Sequence, residues 1–410
     1  MARRKSITRR GFLKAMAATP IVAPLVINAS ALGANGTPPS ERLTLGFIGV
    51  GGQARGHLGM GSREDCQTLA LCDVNRARIE EFASDPSITL YSDFRELLAR
   101  DDIDAVVIST PDHWHAIPAI EAAKAGKDIY CEKPLSLTIR EARAMVNAAR
   151  RYGRVFQTGS QQRSSREFRF ACEMVRSGRI GQLRSIEVYV GGPSEDCYLP
   201  EEPVPPGVDW DTWLGPAPWR PCHRQLLYGG FRPFRDYSGG GMTDWGAHHF
   251  DIAQWGMGTD DTGPIEIIPP DGKDVRWLTY RYASGVTVTH GGPGGRGVVF
   301  NGTEGKIEVD RGYLRTWPDT LMRTPTGPDE VHLYDSSGHH EDWLRALRTR
   351  QKPICDVEIG CRSVTVCHLG NLAYWLKRPL RWDPGKEEFV GDPEANRWLD
   401  RPKREPWTIS

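Results

Sequence analysis

"LTLGFIGVGGQA", residues 43–54, decides how this chain is read. Leu43–Val50 reads as a buried strand. Gly49-Val50-Gly51-Gly52-Gln53-Ala54 then matches G-x-G-x-x-A. In such a loop the first glycine permits a tight turn, the second lets the backbone approach a pyrophosphate, and the small third residue lets helix and strand pack closely. Alone the motif is weak; its context strengthens it. A second strand, "TLALCD", ends in Asp73, 19 residues after Ala54. An acid at that spacing accepts from a ribose hydroxyl and repels a 2′-phosphate, which favours NAD over NADP. Asp73 also reads as an N-cap for a helix starting near Arg76, and both roles are compatible.

Outward from this loop a βα rhythm continues. "ITLY" is a short strand, Ser92 caps "DFRELLAR", and "DAVVIST" is an unbroken apolar run suited to a central strand. "PDHWHAIPAIEAAKAG" supplies a loop and helix, "DIYCEKP" a strand end, "SLTIREARAMVNAARRYG" a helix and "RVFQTG" a last strand. The expected fold is α/β, with an N-terminal doubly wound parallel sheet over residues 41–160. Ligands bind such sheets beyond the carboxyl ends of the strands, where Gly49, Thr110, Pro111, Glu132 and Lys133 fall.

After about residue 165 the rhythm changes. "EFRFACEMVRSGRIG" is a helix and "QLRSIEVYVGG" a strand. A Pro/Trp-rich stretch follows, and then "PIEIIP", "VRWLTYRY", "GVTVTHGG", "GVVFNG" and "GKIEVDRGYLRTW" read as strands without intervening helices. "HHEDWLRALRTRQ" and "EIGCRSVTVCHLGNLAYWLKR" close the unit as helices. This predicts a C-terminal α+β domain, residues 161–385, on an open, mostly antiparallel sheet. Residues 386–410 form a tail. Within the domain, "SGGGMTDWGAHHFDIAQW" places Asp244 and His248 four residues apart on one helical face. There the carboxylate either orients the imidazole as a general base or merely stabilises the helix. His249 points elsewhere and reads as a packing residue.

The 410 residues allow two domains, and 52 basic against 52 acidic side chains give zero formal charge. That balance argues against a nucleic-acid groove or a polybasic membrane surface. The nine cysteines are odd in number and lack close zinc spacing, so no metal site is expected. Of the thirteen tryptophans, many lie between Trp210 and Trp255, where flat faces either stack on sugar rings or pack a core. The N-terminus carries Arg9-Arg10-Gly11-Phe12-Leu13-Lys14, a short proline-broken apolar stretch and Ala29-Ser30-Ala31. This resembles a twin-arginine signal peptide over residues 1–35 and implies a periplasmic or otherwise extracytoplasmic destination through the twin-arginine export machinery. A permanent span needs about 20 strongly apolar residues and is not expected.

The Gly49–Ala54 loop, "STPDHWH", "EKP" and D-x-x-x-H-x-x-D together resemble the glucose–fructose oxidoreductase and inositol dehydrogenase family, Gfo/Idh/MocA. The resemblance implies a Rossmann domain holding NAD through Gly49, Gly51, Gly52, Gln53, Ala54, Asp73, Thr110, Pro111, His115, Glu132 and Lys133. It implies that Lys133 donates to the reacting oxygen, and that His248, oriented by Asp244, takes the hydroxyl proton as hydride leaves. It further implies a cis bond before Pro134. Arg163, Trp219, His223 and Arg232 are candidate substrate contacts, although each also reads as structural. The expected function is oxidation of a hydroxyl on a sugar, polyol or glycoside with tightly bound NAD. The alternatives are redox-neutral cleavage or epimerisation through a transient keto-sugar, and a non-catalytic NAD-containing sugar-binding protein. An open sheet face suggests a homo-oligomer, a dimer or tetramer.

Overall fold

The computed structural model describes residues 37–409. The export signal expected over residues 1–35 lies outside them. Leu43–Ser410 forms one compact unit. Its first sheet joins β1 (Leu43–Ile48), β2 (Cys66–Cys72), β3 (Thr89–Tyr91), β4 (Ala105–Ile108), β5 (Asp128–Cys131) and β6 (Phe156–Thr158). All are parallel, in the order β3-β2-β1-β4-β5-β6. The apolar runs explain the central strands: Ala105–Ile108 and Asp128–Cys131 are buried throughout. Helices α1 (Gly52–Leu58), α2 (Phe94–Leu98), α3 (Ala116–Lys124) and α4 (Ile139–Arg151) lie between the strands. Asp93 rather than Ser92 caps α2, its carboxylate accepting from the Arg95 amide. A Thr138–Glu141 capping box starts α4. The strand order reverses between β1 and β4, which opens a crevice at their carboxyl ends.

The second sheet has nine strands: β7 (Leu183–Val188), β8 (Glu266–Ile268), β9 (Leu278–Arg281), β10 (Thr287–His290), β11 (Val298–Gly302), β12 (Lys306–Asp310), β13 (Tyr313–Trp317), β14 (Leu380–Asp383) and β15 (Glu388–Phe389). Their order is β13-β12-β11-β7-β10-β9-β8-β14-β15. Every pairing is antiparallel except β7 with β10. Helices α5 (Arg166–Arg176), α6 (Trp210–Leu214), α7 (Gly241–Asp244), α8 (Gly246–Met257), α9 (His339–Thr349) and α10 (Val357–Leu376) lie in the domain's segment of chain. Phe168, Phe250, Tyr280, Phe300 and Leu369 centre one apolar core between sheet and helices.

The last two long helices return to the first sheet. Trp343, Leu344 and Leu347 of α9 pack with Phe47, Val107 and Tyr130, and Val357, Cys361 and Val364 of α10 pack with Ala142 and Met145 of α4. Residues 386–409 do not trail away either: Phe389 and Leu399 are buried, and Trp407 packs edge-on to Trp114. The Pro/Trp-rich segment makes a small core of its own around Trp210, Trp213, Leu226 and Tyr237.

Candidate active site

The site begins at the turn after β1. Gly49 has φ +81°, and a Cβ there would meet the Thr110 amide nitrogen at 2.8 Å. Gly52 has open space where a Cβ would stand. Ala54 faces inward, fully buried, where a larger residue would push α1 off the sheet. Asp73 is buried at the end of β2. One carboxylate oxygen accepts from the Val50 amide at 2.8 Å and the other from the Asn75 amide at 2.8 Å. Asn75 caps the turn beginning at Arg76, so Asp73 is not that cap. Instead it ties the glycine loop to β2.

Two cavities run along this edge. The first is lined by Gly49, Asp73, Arg78, Thr110, Trp114 and Trp213, among others. The second, about 420 Å³, is lined by Gly51, Gly52, Gln53, Pro111, Glu132, Lys133 and Arg232 among others. The walls fit a dinucleotide by their chemistry. Ser109 Oγ and Thr110 Oγ1 are buried with no hydrogen-bond partner among the described residues, and both residues line both cavities. Such orphaned polar atoms are costly unless a ligand pairs them. Arg78, which the sequence reading missed, lines both cavities and places Nη1 3.5 Å from Asp73.

A third cavity of about 740 Å³ holds the chemistry. Lys133, Asp244, His248, Arg232, Trp245, Arg311, His57 and His340 stand on its wall. The Lys133–Pro134 bond is cis. Lys133 Nζ donates to Asp244 Oδ1 at 2.7 Å and to the Asp244 carbonyl at 3.0 Å. Arg232 Nε approaches the same Oδ1 at 3.3 Å. The expected Asp244–His248 pairing is therefore absent: Asp244 orients Lys133 instead. The helical path continues through Trp245 (φ −91°, ψ −28°), but the His248 amide donates to the Trp245 carbonyl while the Asp244 carbonyl accepts from Lys133. His248 is 3% exposed and its Nδ1 has no partner among the described residues. Burial, with the charges of Lys133 and Arg311, holds its imidazole well below the ordinary value, so it stays neutral.

Glu132 lies beneath Lys133. Burial alone would raise its carboxyl, but the hydrogen bond and charge of His57, with Lys133 and His248, outweigh burial and bring it to about 2. It accepts from His57 Nε2 at 2.9 Å and Gln161 Nε2 at 2.8 Å. His57, Gln161, Arg311 and His340 were not legible as site residues, since each comes from a different segment with no motif around it.

Other expectations are corrected. His115 spends Nδ1 on the Pro134 carbonyl at 2.7 Å and Nε2 on the Thr110 carbonyl at 2.9 Å. It braces the turns that carry Thr110 and Lys133, and both its ring nitrogens are occupied by protein. Arg163 is a structural ion: its buried guanidinium meets Asp251 at 2.8 Å and Asp260 at 2.7 Å. Trp219 is exposed, and His223 faces Glu202 at 3.5 Å; neither lines the three cavities. Only Arg232 of the four substrate candidates reaches the site. Trp210 and Trp213 stack on each other at 4.7 Å as core, whereas Trp245 lines the third cavity with the Arg311 guanidinium 4.6 Å from its ring. All nine cysteines are free, no cluster suited to a metal ion occurs among the described residues, and no described helix is long and apolar enough to cross a membrane.

Comparison with known proteins agrees with this fold. A "Glycosyl hydrolase family 109 protein 1" of Shewanella sp. (strain ANA-3) is 34% identical over 206 residues, 43% of this chain and 44% of that protein. An "Alpha-N-acetylgalactosaminidase" of Shewanella oneidensis is 33% identical over the same length and shares. The matched region thus spans less than half of these relatives. Among solved structures, aldose-aldose oxidoreductase from Caulobacter crescentus, complexed with glycerol, superposes with TM-score 0.58 at 19% identity, covering 83% of this chain and 99% of its own. The WlbA dehydrogenase from Bordetella pertussis, in complex with NADH and UDP-GlcNAcA, gives 0.56 at 16%, covering 80% and 96%. These two speak to the fold alone. The description "Oxidoreductase family, NAD-binding Rossmann fold" matches residues 43–160, and "Oxidoreductase family, C-terminal alpha/beta domain" matches residues 189–409. With both halves matched and the glycine loop, Asp73 and the Lys133 turn joined at one cleft, the chain belongs to the Gfo/Idh/MocA oxidoreductase family.

Proposed function

We propose that this chain oxidises a hydroxyl of a sugar, polyol or glycoside with a nicotinamide cofactor it retains. The observation that carries the reading is the Lys133–Asp244 pair: a cation from the first domain, at the rim of the nucleotide cleft, is fixed by a carboxylate from the second. A bound NAD would supply hydride acceptance and hydride return. Lys133 donates to the reacting oxygen and stabilises charge on it as the carbonyl forms. His248, neutral and on the cavity wall, takes the hydroxyl proton. Arg232 shares Asp244 with Lys133, so a substrate hydroxyl that draws Lys133 away leaves the carboxylate paired.

A second reading has its own support: the same oxidation, reversed after a glycosidic bond has been broken next to the transient carbonyl, with no net redox change. The curated relatives named as glycosyl hydrolases favour it. Cofactor retention suits both, and three features support it. Leu227, Tyr228 and Phe231 of the Pro/Trp-rich segment line the nucleotide cavity, Arg78 donates to the Leu227 carbonyl, and the Arg76 amide donates to the Gly207 carbonyl at 2.9 Å. The twin-arginine signal adds a reason for retention, because a protein exported to the periplasm meets no free NAD there.

Protein purified without added cofactor then carries close to one nucleotide per chain and turns over without external NAD. Nucleotide mass on denaturation and NADH accumulation on turnover test this. Nucleotide-free protein that needs added NAD and yields NADH one-to-one with product would make it an ordinary dehydrogenase.

A further inference from the structure

His57 and His340 are 283 positions apart in the chain, yet their rings meet edge-on, with His57 Nδ1 2.8 Å from His340 Nε2. His57 Nε2 meets Glu132 Oε1 at 2.9 Å. Both histidines line the cavity that holds Lys133, Asp244 and His248. We propose that Glu132, His57 and His340 form a proton relay whose outer atom, His340 Nδ1, serves the carbon beside the transient carbonyl. The inference rests on the redox-neutral reading above.

The hydrogen bonds set the direction of the relay. An ionised carboxylate only accepts, and Glu132 Oε1 already takes protons from Gln161 Nε2 at 2.8 Å and Tyr130 Oη at 3.3 Å. His57 Nε2 must therefore carry a proton. The contact between the rings holds a single proton. When His340 Nε2 carries it, His340 Nδ1 presents a lone pair, and that atom has no hydrogen bond to the described residues. When His340 Nδ1 gains a proton, the Nε2 proton passes to His57, and the resulting imidazolium lies against the Glu132 carboxylate. This is the logic by which a buried acid supports a histidine base, extended by one ring. The other charged or titratable groups around the pair are Glu341, Arg63, His339 and Tyr130.

The step balances without an oxidant. The carbonyl acidifies the neighbouring C–H, and that bond breaks with its proton going to His340 Nδ1. The electron pair becomes the new C=C bond and expels the glycosidic oxygen, which takes the proton back from His340. Lys133 and His248 remain occupied with the oxygen of the carbonyl, so a second proton-transfer group is what this step lacks without the relay.

Two measurements decide it. In D2O, with a panel of nitrophenyl glycopyranosides, the wild-type protein should exchange the carbon-bound hydrogen. His340→Ala, and His340→Asn if the alanine form folds poorly, should slow exchange by about 10²–10⁴-fold. Single-turnover reduction of the bound nucleotide should slow by less than about tenfold, because it depends on Lys133 and His248. Equal loss of both, or undiminished exchange, overturns the relay. The second measurement needs no substrate: histidine ring ¹⁵N shifts followed over pH. In the resting protein the proton between the rings should sit on His340 Nε2 with His340 Nδ1 bare; a permanent proton on His340 Nδ1 overturns the relay. A wild-type protein that reduces its nucleotide but exchanges nothing rejects the redox-neutral reading, and the ring shifts then decide the relay alone.

Discussion

Lys133 is a useful cation because two separate residues constrain it. Asp244 takes its ammonium, and His115 holds the carbonyl of the next residue, Pro134. Lys133→Ala should keep the fold and the nucleotide but lose about 10²–10⁴-fold in turnover, the usual contribution of an acid–base group. Asp244→Asn should also lose turnover, by loosening Lys133 rather than by misplacing His248. Near-wild-type rates in either variant reject the assignment. At Asp73 the neighbouring Arg78 sharpens the expectation: Asp73→Ala removes a carboxylate that repels a 2′-phosphate and leaves a guanidinium that attracts one. Nucleotide titrations should show weaker NAD binding and a shift toward NADP, and an unchanged preference makes Asp73 a scaffold only. Glu132 gives a pH signature. Its folded value is about 2 against an ordinary 4.5, so the stability it contributes is present above 4.5 and is lost as pH falls toward 2. Between those limits wild-type stability should fall with pH more steeply than that of Glu132→Gln, by up to about 1.4 kcal/mol per pH unit. Parallel denaturation curves would contradict that.

At the scale of elements, the Pro/Trp-rich segment is a strap with its own core. It is stitched to the first domain at Val74, Asn75 and Arg76, and the Trp213 carbonyl accepts from Trp114 Nε1 at 2.9 Å. Trp213 is 3% exposed, stacked on Trp210 and packed against Tyr237. Truncating so large a buried ring costs about 3–5 kcal/mol. Because the strap's other residues also line the nucleotide cavities, Trp213→Ala should release the nucleotide faster without lowering the first-turnover rate of loaded protein. Gel filtration followed by nucleotide content checks it, and full retention would separate the strap from cofactor holding. The glycine run before α7 works differently. A Cβ on Gly240 would stand 2.6 Å from the Ser194 amide nitrogen, and one on Gly241 2.5 Å from the Gly191 Cα, so only glycine lets this turn approach closely enough to bring Asp244 to Lys133.

At the scale of the molecule, one face of the nine-stranded sheet carries the core while the other presents half-buried polar and aromatic side chains, among them Glu187, Thr289, Asn301 and Tyr313. Such a face suits a second copy of the chain. Light scattering should give a particle larger than one 45.8 kDa chain, and a strictly monomeric mass would reject self-association. The return of α9 and α10 to the first sheet makes the two lobes share their cores, which fixes the cleft that the site spans.

The sequence by itself determined what is local. Strand runs, the glycine turn, Asp73 at the end of β2, the hairpin-rich second domain and Lys133 at a strand rim all follow from patterns read within a few tens of residues, because the backbone period places such residues predictably. Only the tertiary structure decided the partners. Asp244 and His248 sit four apart in sequence, yet the Asp244 carboxylate pairs with Lys133 from the first domain rather than with His248. His57 and His340 meet through the packing of α9 on the first sheet, and Arg163 is consumed by Asp251 and Asp260. Contacts of this kind join residues tens to hundreds of positions apart. No helical or strand period relates such residues, so only the packed chain brings them together.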